Sequence, residues 1–187
     1  AEIADRAAIG HLDGVAGQEP VATVARAGLV LGAHVAQHQA GVVAVDGEHA
    51  GLAARERRLA EQLRALAGEY RRRYPCIVPC HNDLVAANLL DDGRRLWLID
   101  FEYAVKAAPV LDLAGLAALN GLGAAERLAL MQAYYARQPA PFSPGELDDV
   151  VRLVQLLGYF WAEALAREAR DPAPYRQLAA DLGATLA

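Results

Sequence analysis

Between Pro75 and Tyr103 the spacing of apolar residues changes period, and that change limits the folds open to this chain. Cys76-Ile77-Val78-Pro79-Cys80 is a short apolar run, which predicts a buried strand. Asn88-Leu89-Leu90, Asp91-Asp92-Gly93-Arg94 and Leu96-Trp97-Leu98-Ile99-Asp100 then read as strand, turn and strand, a β-hairpin closed around an Asp-Gly turn. On both sides the pattern is helical. Glu19-Pro20 opens a predicted helix to about residue 39. A longer one over 52–73 carries Leu59, Leu63 and Leu66 on one face, ends in Arg71-Arg72-Arg73 and stops before Pro75. Residues 1–18 read as a loop or short hairpin, and 41–51 as a connection. After Pro109 helices are predicted over about 110–120, 124–137 and 144–170, the last opened by the capping box of Ser143, Pro144 and Glu146. Asp171-Pro172 caps a final helix that runs nearly to Ala187. The expectation is an α+β chain, mainly helical, with a small central β-hairpin. It is read as a single domain over 1–187: leading helices in 1–75, a loop and hairpin in 76–103, and a helical subdomain in 104–187.

Charge and composition exclude several functions. Acidic residues outnumber basic ones, 23 to 18, for a net charge of −5, which argues against a nucleic-acid partner. The arginine runs at 55–58 and 71–73 read as solvated helix ends. No apolar stretch approaches the roughly 20 residues of a membrane span, so no membrane insertion is expected. The N-terminal residues show no basic segment followed by a hydrophobic run, which predicts no signal peptide and a cytoplasmic location. Cys76 and Cys80 would lie on one face of their strand, too far apart to bond, and are expected as reduced thiols. His34 and His38 are one helical turn apart but lack a third ligand and read as surface. Lys106 is the only lysine; the other seventeen basic residues are arginine, which with the abundant alanine suggests a GC-rich bacterial genome.

The residues that carry chemistry are His81-Asn82-Asp83-Leu84-Val85-Ala86-Ala87-Asn88 and Leu98-Ile99-Asp100-Phe101-Glu102-Tyr103. Asp83 and Asn88 flank a loop leaving the buried strand, and pairing about the turn brings Asn88 and Asp100 to one mouth of the hairpin. Oxygen-bearing side chains that converge in this way suit a hard cation such as magnesium. A further carboxylate beside them can orient a hydroxyl and accept its proton. The spacing His-x-Asp-x-x-x-x-Asn, followed by an Asp on the next strand, matches the catalytic loop of kinase phosphoryl transfer.

Here the sequence resembles the choline/ethanolamine kinase family, within the aminoglycoside phosphotransferase-like and protein-kinase-like superfamily. The resemblance rests on His81-Asn82-Asp83-Leu84, Asn88-Leu89-Leu90, Ile99-Asp100-Phe101-Glu102-Tyr103-Ala104 and Leu111-Asp112-Leu113-Ala114. It spans about 76–120 and extends loosely to about 165. It implies the large C-terminal lobe of a protein-kinase-like fold, with Asp83 as base and Asn88 and Asp100 as magnesium ligands. ATP would be the co-substrate and a small amino alcohol, choline or ethanolamine, the acceptor. It further implies that Asp112 braces the catalytic loop and that Glu102 and Tyr103 face the amino-alcohol pocket; His81 by itself reads as a buried hydrogen-bonding prop of the loop. Trp161, within Tyr159-Phe160-Trp161, would join an aromatic cage for the ammonium group. Two features depart from the family: Val105-Lys106-Ala107-Ala108 replaces small polar residues, and a second cage tryptophan is missing, with Leu165 nearby.

Simpler readings stand beside these. Asp83 or Asn88 alone would be a cap or turn residue, Asp112 a helix N-cap, and at least one of three consecutive helical aromatics belongs to the core. A kinase also needs a glycine-rich strand-turn-strand and a strand lysine over the phosphates. No such segment is legible, and Lys106 follows the metal-binding Asp. The expectation is therefore that an N-terminal nucleotide lobe is missing and would pack on the cleft face, and that the 187 residues alone have little activity. The alternatives are a catalytically inactive kinase-like binding lobe, or a related kinase for an aminoglycoside, thiamine or homoserine.

Overall fold

Secondary structure follows the chain's punctuation closely wherever the signals are local. The computed structural model describes residues 53–74 and 78–186. The predictions made for 1–52, and those on Pro75, Cys76 and Ile77, lie outside the described residues. Helix α1, Ala54–Arg73, opens with Glu56 reaching back to the Ala53 N–H at 2.8 Å and ends in the three arginines. Those cations sit at the negative end of the helix dipole. It buries Leu59, Ala60, Leu63 and Ala67.

Three-residue strands follow: β1 Val78–Cys80, β2 Leu89–Asp91, β3 Leu96–Leu98 and β4 Val105–Ala107. β2 and β3 form the expected antiparallel hairpin, with Leu89 opposite Leu98 and Asp91 opposite Leu96. Its loop is fixed by the two aspartates. Asp91 accepts from the Gly93 N–H at 2.7 Å, and Asp92 from the Arg94 and Arg95 N–H groups at 2.8 Å. Gly93 takes φ +79°, a conformation that costs glycine little. β1 pairs antiparallel with β4, Pro79 opposite Lys106, in a second two-stranded sheet. The sequence had not marked β4, so β-structure extends past the predicted limit at Tyr103.

Four helices complete the described chain: α2 Pro109–Leu119, α3 Ala124–Tyr134, α4 Pro144–Glu168 and α5 Ala173–Thr185. α3 ends three residues before the predicted 137. Ser143 caps α4 as expected: its hydroxyl accepts from the Glu146 N–H at 3.3 Å, and Glu146 accepts from the Ser143 N–H. Glu146 also pairs with Arg73, tying the start of α4 to the end of α1.

Two apolar clusters hold these elements. One joins Val85 and α2 to Met131 of α3, Phe142 and the first half of α4, including Leu147, Val150 and Val154. The other joins α1, the second half of α4 and α5 through Leu59, Leu63, Leu156, Trp161 and Leu178. α2 is buried nearly all round, as its composition dictates, and Asp112 is its only charged residue. That one exception lies where the helix meets the loop carrying Asp83.

Candidate functional site

The loop after β1 turns at Asn82, and the backbone N–H groups of His81, Asn82 and Asp83 are met by side chains. The His81 and Asn82 N–H groups each donate to Asp112, to Oδ2 and Oδ1, both at 2.8 Å. Asn82 takes φ +62°, a left-handed conformation that Asn and Asp adopt more readily than most residues. The Asp112 carboxylate thus holds the backbone at the point where it turns.

His81 is buried with both ring nitrogens committed. Nε2 lies 2.8 Å from the Ile99 carbonyl, and Nδ1 accepts from the Asp83 N–H at 3.3 Å. A carbonyl can only accept and an N–H can only donate, so these partners select the neutral tautomer protonated at Nε2. The ring also packs on Phe101, with centroids 4.4 Å apart, so it links the loop to the end of the hairpin.

Asp83 has 0% of its surface exposed, and Asn88 has 4%. The Asn88 amide donates to both the backbone carbonyl and the Oδ2 of Asp83, each at 2.9 Å. Asp83 Oδ1 is buried without a hydrogen-bond partner. Burial pushes the Asp83 carboxyl up to about 6; the Asn88 hydrogen bond opposes that rise, and the Asp100 and Glu102 charges add to it. A carboxyl group so placed is a proton acceptor near neutral pH, with one lone-pair face uncommitted.

Asn88 closes a short 3-10 turn, and its carbonyl accepts from the Ile99 N–H at 3.1 Å, so it opens the hairpin one residue from Asp100. Asp100 is exposed and also left-handed, φ +63°. Glu102 is exposed and Tyr103 half-buried on the next 3-10 turn. The Tyr103 phenol is pushed up to about 12, first by burial and then by its hydrogen bond to the Glu102 carboxylate. The Asn82 amide donates to the Tyr103 carbonyl at 3.2 Å, tying this wall to the loop. Among the described residues no group of three His, Cys, Asp or Glu side chains forms a ready metal cage. The donor set at the hairpin mouth is one amide and one carboxylate, both oxygen donors, which suits magnesium sharing its shell with phosphate and water.

The fold thus gathers His81, Asp83, Asn88, Asp100, Glu102, Tyr103 and Asp112 around one loop and one hairpin mouth. Trp161 does not join them. It is 4% exposed in the cluster of α1, α4 and α5, edge-on to Tyr175 with centroids 5.8 Å apart. The physical reason is that α4 is covered on two faces, so its second half directs Tyr159 and Trp161 into α1 and α5. Cys80 is also structural, with its Sγ 3.4 Å from the Ala107 carbonyl and its thiol pushed up to about 12, chiefly by burial.

The sequence left two residues here without a role. Asn82 reads in the sequence only as a spacer, although Asn is one of the few non-glycine residues that readily take a left-handed turn. Asn120 follows the last turn of α2, and its amide donates to the carbonyls of Leu84 and Leu116 at 2.8 and 2.7 Å. Its only sequence signal was Asn-Gly at the end of an apolar helix.

Residues 46–150 match the phosphotransferase enzyme family. No curated protein matches the chain. The fold is similar to that of a choline/ethanolamine kinase family protein from Mesorhizobium loti, with TM-score 0.61 and 21% identity over 88% of this chain and 61% of that one. It is also similar to the choline kinase LicA from Streptococcus pneumoniae, with TM-score 0.56 and 21% identity over 76% of this chain and 52% of that one. The chain therefore spans less than two thirds of either structure. The family match covers more than half of the chain and includes the whole segment from His81 to Asp112, so this chain belongs to the phosphotransferase enzyme family.

Proposed function

We propose that this chain carries the catalytic loop of an ATP-dependent kinase that phosphorylates a small amino alcohol, choline or ethanolamine. The observation that carries the reading is Asp83: fully buried, with one oxygen held by Asn88 and the other unpartnered, in a loop pinned by Asp112. In the reaction the acceptor's hydroxyl oxygen bonds to the γ-phosphorus of ATP, and the bond from that phosphorus to the bridging oxygen breaks. ADP leaves with that electron pair, and the hydroxyl proton passes to Asp83. Asn88 and Asp100 would hold magnesium, which supplies charge neutralisation at the phosphate oxygens.

His81 and Asp112 keep the loop in place while Asp83 accepts the proton. Glu102 and Tyr103 would face the amino alcohol, because a carboxylate beside an aromatic ring suits an ammonium group. The likeness to a choline kinase and to a choline/ethanolamine kinase family protein, at 21% identity, supports this substrate class. We read the exposed apolar run Leu96, Trp97, Leu98, Ile99 and Phe101 as the face that a nucleotide-binding lobe covers. No helix among the described residues is long and apolar enough to cross a membrane.

The test is a coupled ADP-release assay on the protein expressed from its full native reading frame, with Mg-ATP and choline, ethanolamine or an aminoglycoside. Turnover on an amino alcohol, abolished by Asp100→Ala, is the expected result. Turnover on the aminoglycoside alone would move the substrate class. Mg-ATP binding without turnover on any acceptor would favour a binding lobe.

A further inference from the structure

Helix α2 has a backbone termination of its own, beside the 2.7 Å bond that the Asn120 side chain gives to the Leu116 carbonyl. Gly121 adopts φ +66°, and the Leu122 N–H donates to the Ala117 carbonyl at 2.9 Å, a six-to-one bond that terminates a helix through its backbone. The Asn120 N–H already reaches Leu116 O at 3.3 Å. The Asn120 amide therefore does more than the helix end requires: besides Leu116 O it reaches the Leu84 carbonyl, 36 residues away in sequence.

Leu84 directly follows the candidate base. On the other side of Asp83, the His81 and Asn82 N–H groups are held by Asp112, also on α2. Asp112 and Asn120 are eight residues apart, which is about 12 Å along a helix and about 80° around it. The chain from His81 to Leu84, which turns at left-handed Asn82, bridges the two contacts. The loop therefore lies along α2 and is gripped at both ends of one rigid rod. The two grips differ in kind: a carboxylate takes N–H groups ahead of Asp83, and an amide gives N–H to the carbonyl behind it.

We propose that Asn120 is a positioning residue, the second jaw of a clamp by which α2 fixes the direction of the Asp83 side chain. The proposal rests on the kinase reading only for its effect on turnover; the clamp itself is a property of the loop. Without the Leu84 contact, Asp83 would keep its anchor at Asp112 but gain freedom to swing about it. Displacement of a catalytic group by about 1 Å is expected to cost up to roughly a hundredfold in rate.

Two variants separate this from helix capping. Asn120→Ala removes the amide, and Asn120→Asp keeps the shape but offers no N–H donor to Leu84 O. Both are measured in the full native protein for kcat, KM and backbone amide exchange. The expected result is a kcat lower by about 10- to 100-fold with KM changed less than about threefold. The His81, Asn82 and Asp83 amides should exchange faster, with the α4 and α5 amides unchanged. If one variant fails to fold, the other is read alone. If the native protein shows no phosphotransfer, faster exchange confined to the loop would still support the clamp while the kinase reading fails. Unchanged loop exchange, or equal loosening of α4 and α5, overturns the clamp and leaves the kinase reading untouched.

Discussion

The segment from His81 to Tyr103 and the packing of α1, α4 and α5 are held together by different physics. The helical region buries Leu59, Leu63, Leu156, Trp161 and Leu178 against one another. Such contacts are non-directional, and each large apolar side chain fully buried contributes about 1.5–3 kcal/mol. The loop and hairpin depend instead on directed bonds from a few polar side chains: Asp112, His81, Asn88, Asn82 and Asn120. The segment also holds two non-glycine residues in left-handed conformations and a buried carboxyl group with an unpartnered oxygen. Polar groups and backbone strain of this kind persist where function needs them, and the surrounding packed helices supply the stability.

The sharpest break of that comparison is Asp83→Asn. It keeps the shape and the Asn88 contact to an amide oxygen, but the amide cannot take a proton. We expect kcat to fall by about 10²–10⁴-fold with substrate affinity nearly unchanged. Stability should move the other way. The folded-state carboxyl is raised to about 6, so the folded state keeps its proton to higher pH than the unfolded chain. The stabilisation present below the ordinary carboxylate range, near 4, is lost as pH rises through about 6. Urea denaturation at pH 4, 5, 6 and 7.5 should show this fall in the native protein and a flatter profile in Asp83→Asn. Turnover by the native protein should fade as pH drops through about 6, because protonated Asp83 cannot serve as base. An acid limb at an ordinary carboxylate pH would count against the buried-base reading.

Leu156→Ala addresses the other region. Leu156 has none of its surface exposed and lies where α4 meets α1 and α5. Truncation should cost about 2–5 kcal/mol in chemical denaturation. At a temperature where the variant remains folded, its kcat should stay close to the native value. A large kcat loss there would mean that the two regions are not separable.

The smallest effect is expected at the hairpin tip. Trp97 is 49% exposed and hydrogen-bonds Asp92 through Nε1 at 2.9 Å. Trp97→Ser in the 187-residue chain should change stability by no more than about 0.5 kcal/mol. The same substitution in the full native protein sharpens the contrast: a larger loss of stability or of Mg-ATP affinity there would mark this face as covered.

Features with local causes can be read from the residues alone. The Asp-Asp-Gly turn, the Ser143–Glu146 cap, the helix over Ala54–Arg73 and the five-residue step from Asp83 to Asn88 depend on neighbours within a turn or two. The remaining features depend on how distant segments pack, because they join groups with no mark in the sequence. β4 is three residues long and exists through pairing with β1, more than twenty residues earlier; Val105-Lys106-Ala107 alone has no strand period. Trp161 lies in three consecutive aromatics on a helix covered on two faces, so only the placement of α1 and α5 assigns it to the core. Asn120 acts on a backbone carbonyl, and every residue carries one. Nothing in the identity of Leu84 could announce that its oxygen would meet an amide from the far end of α2.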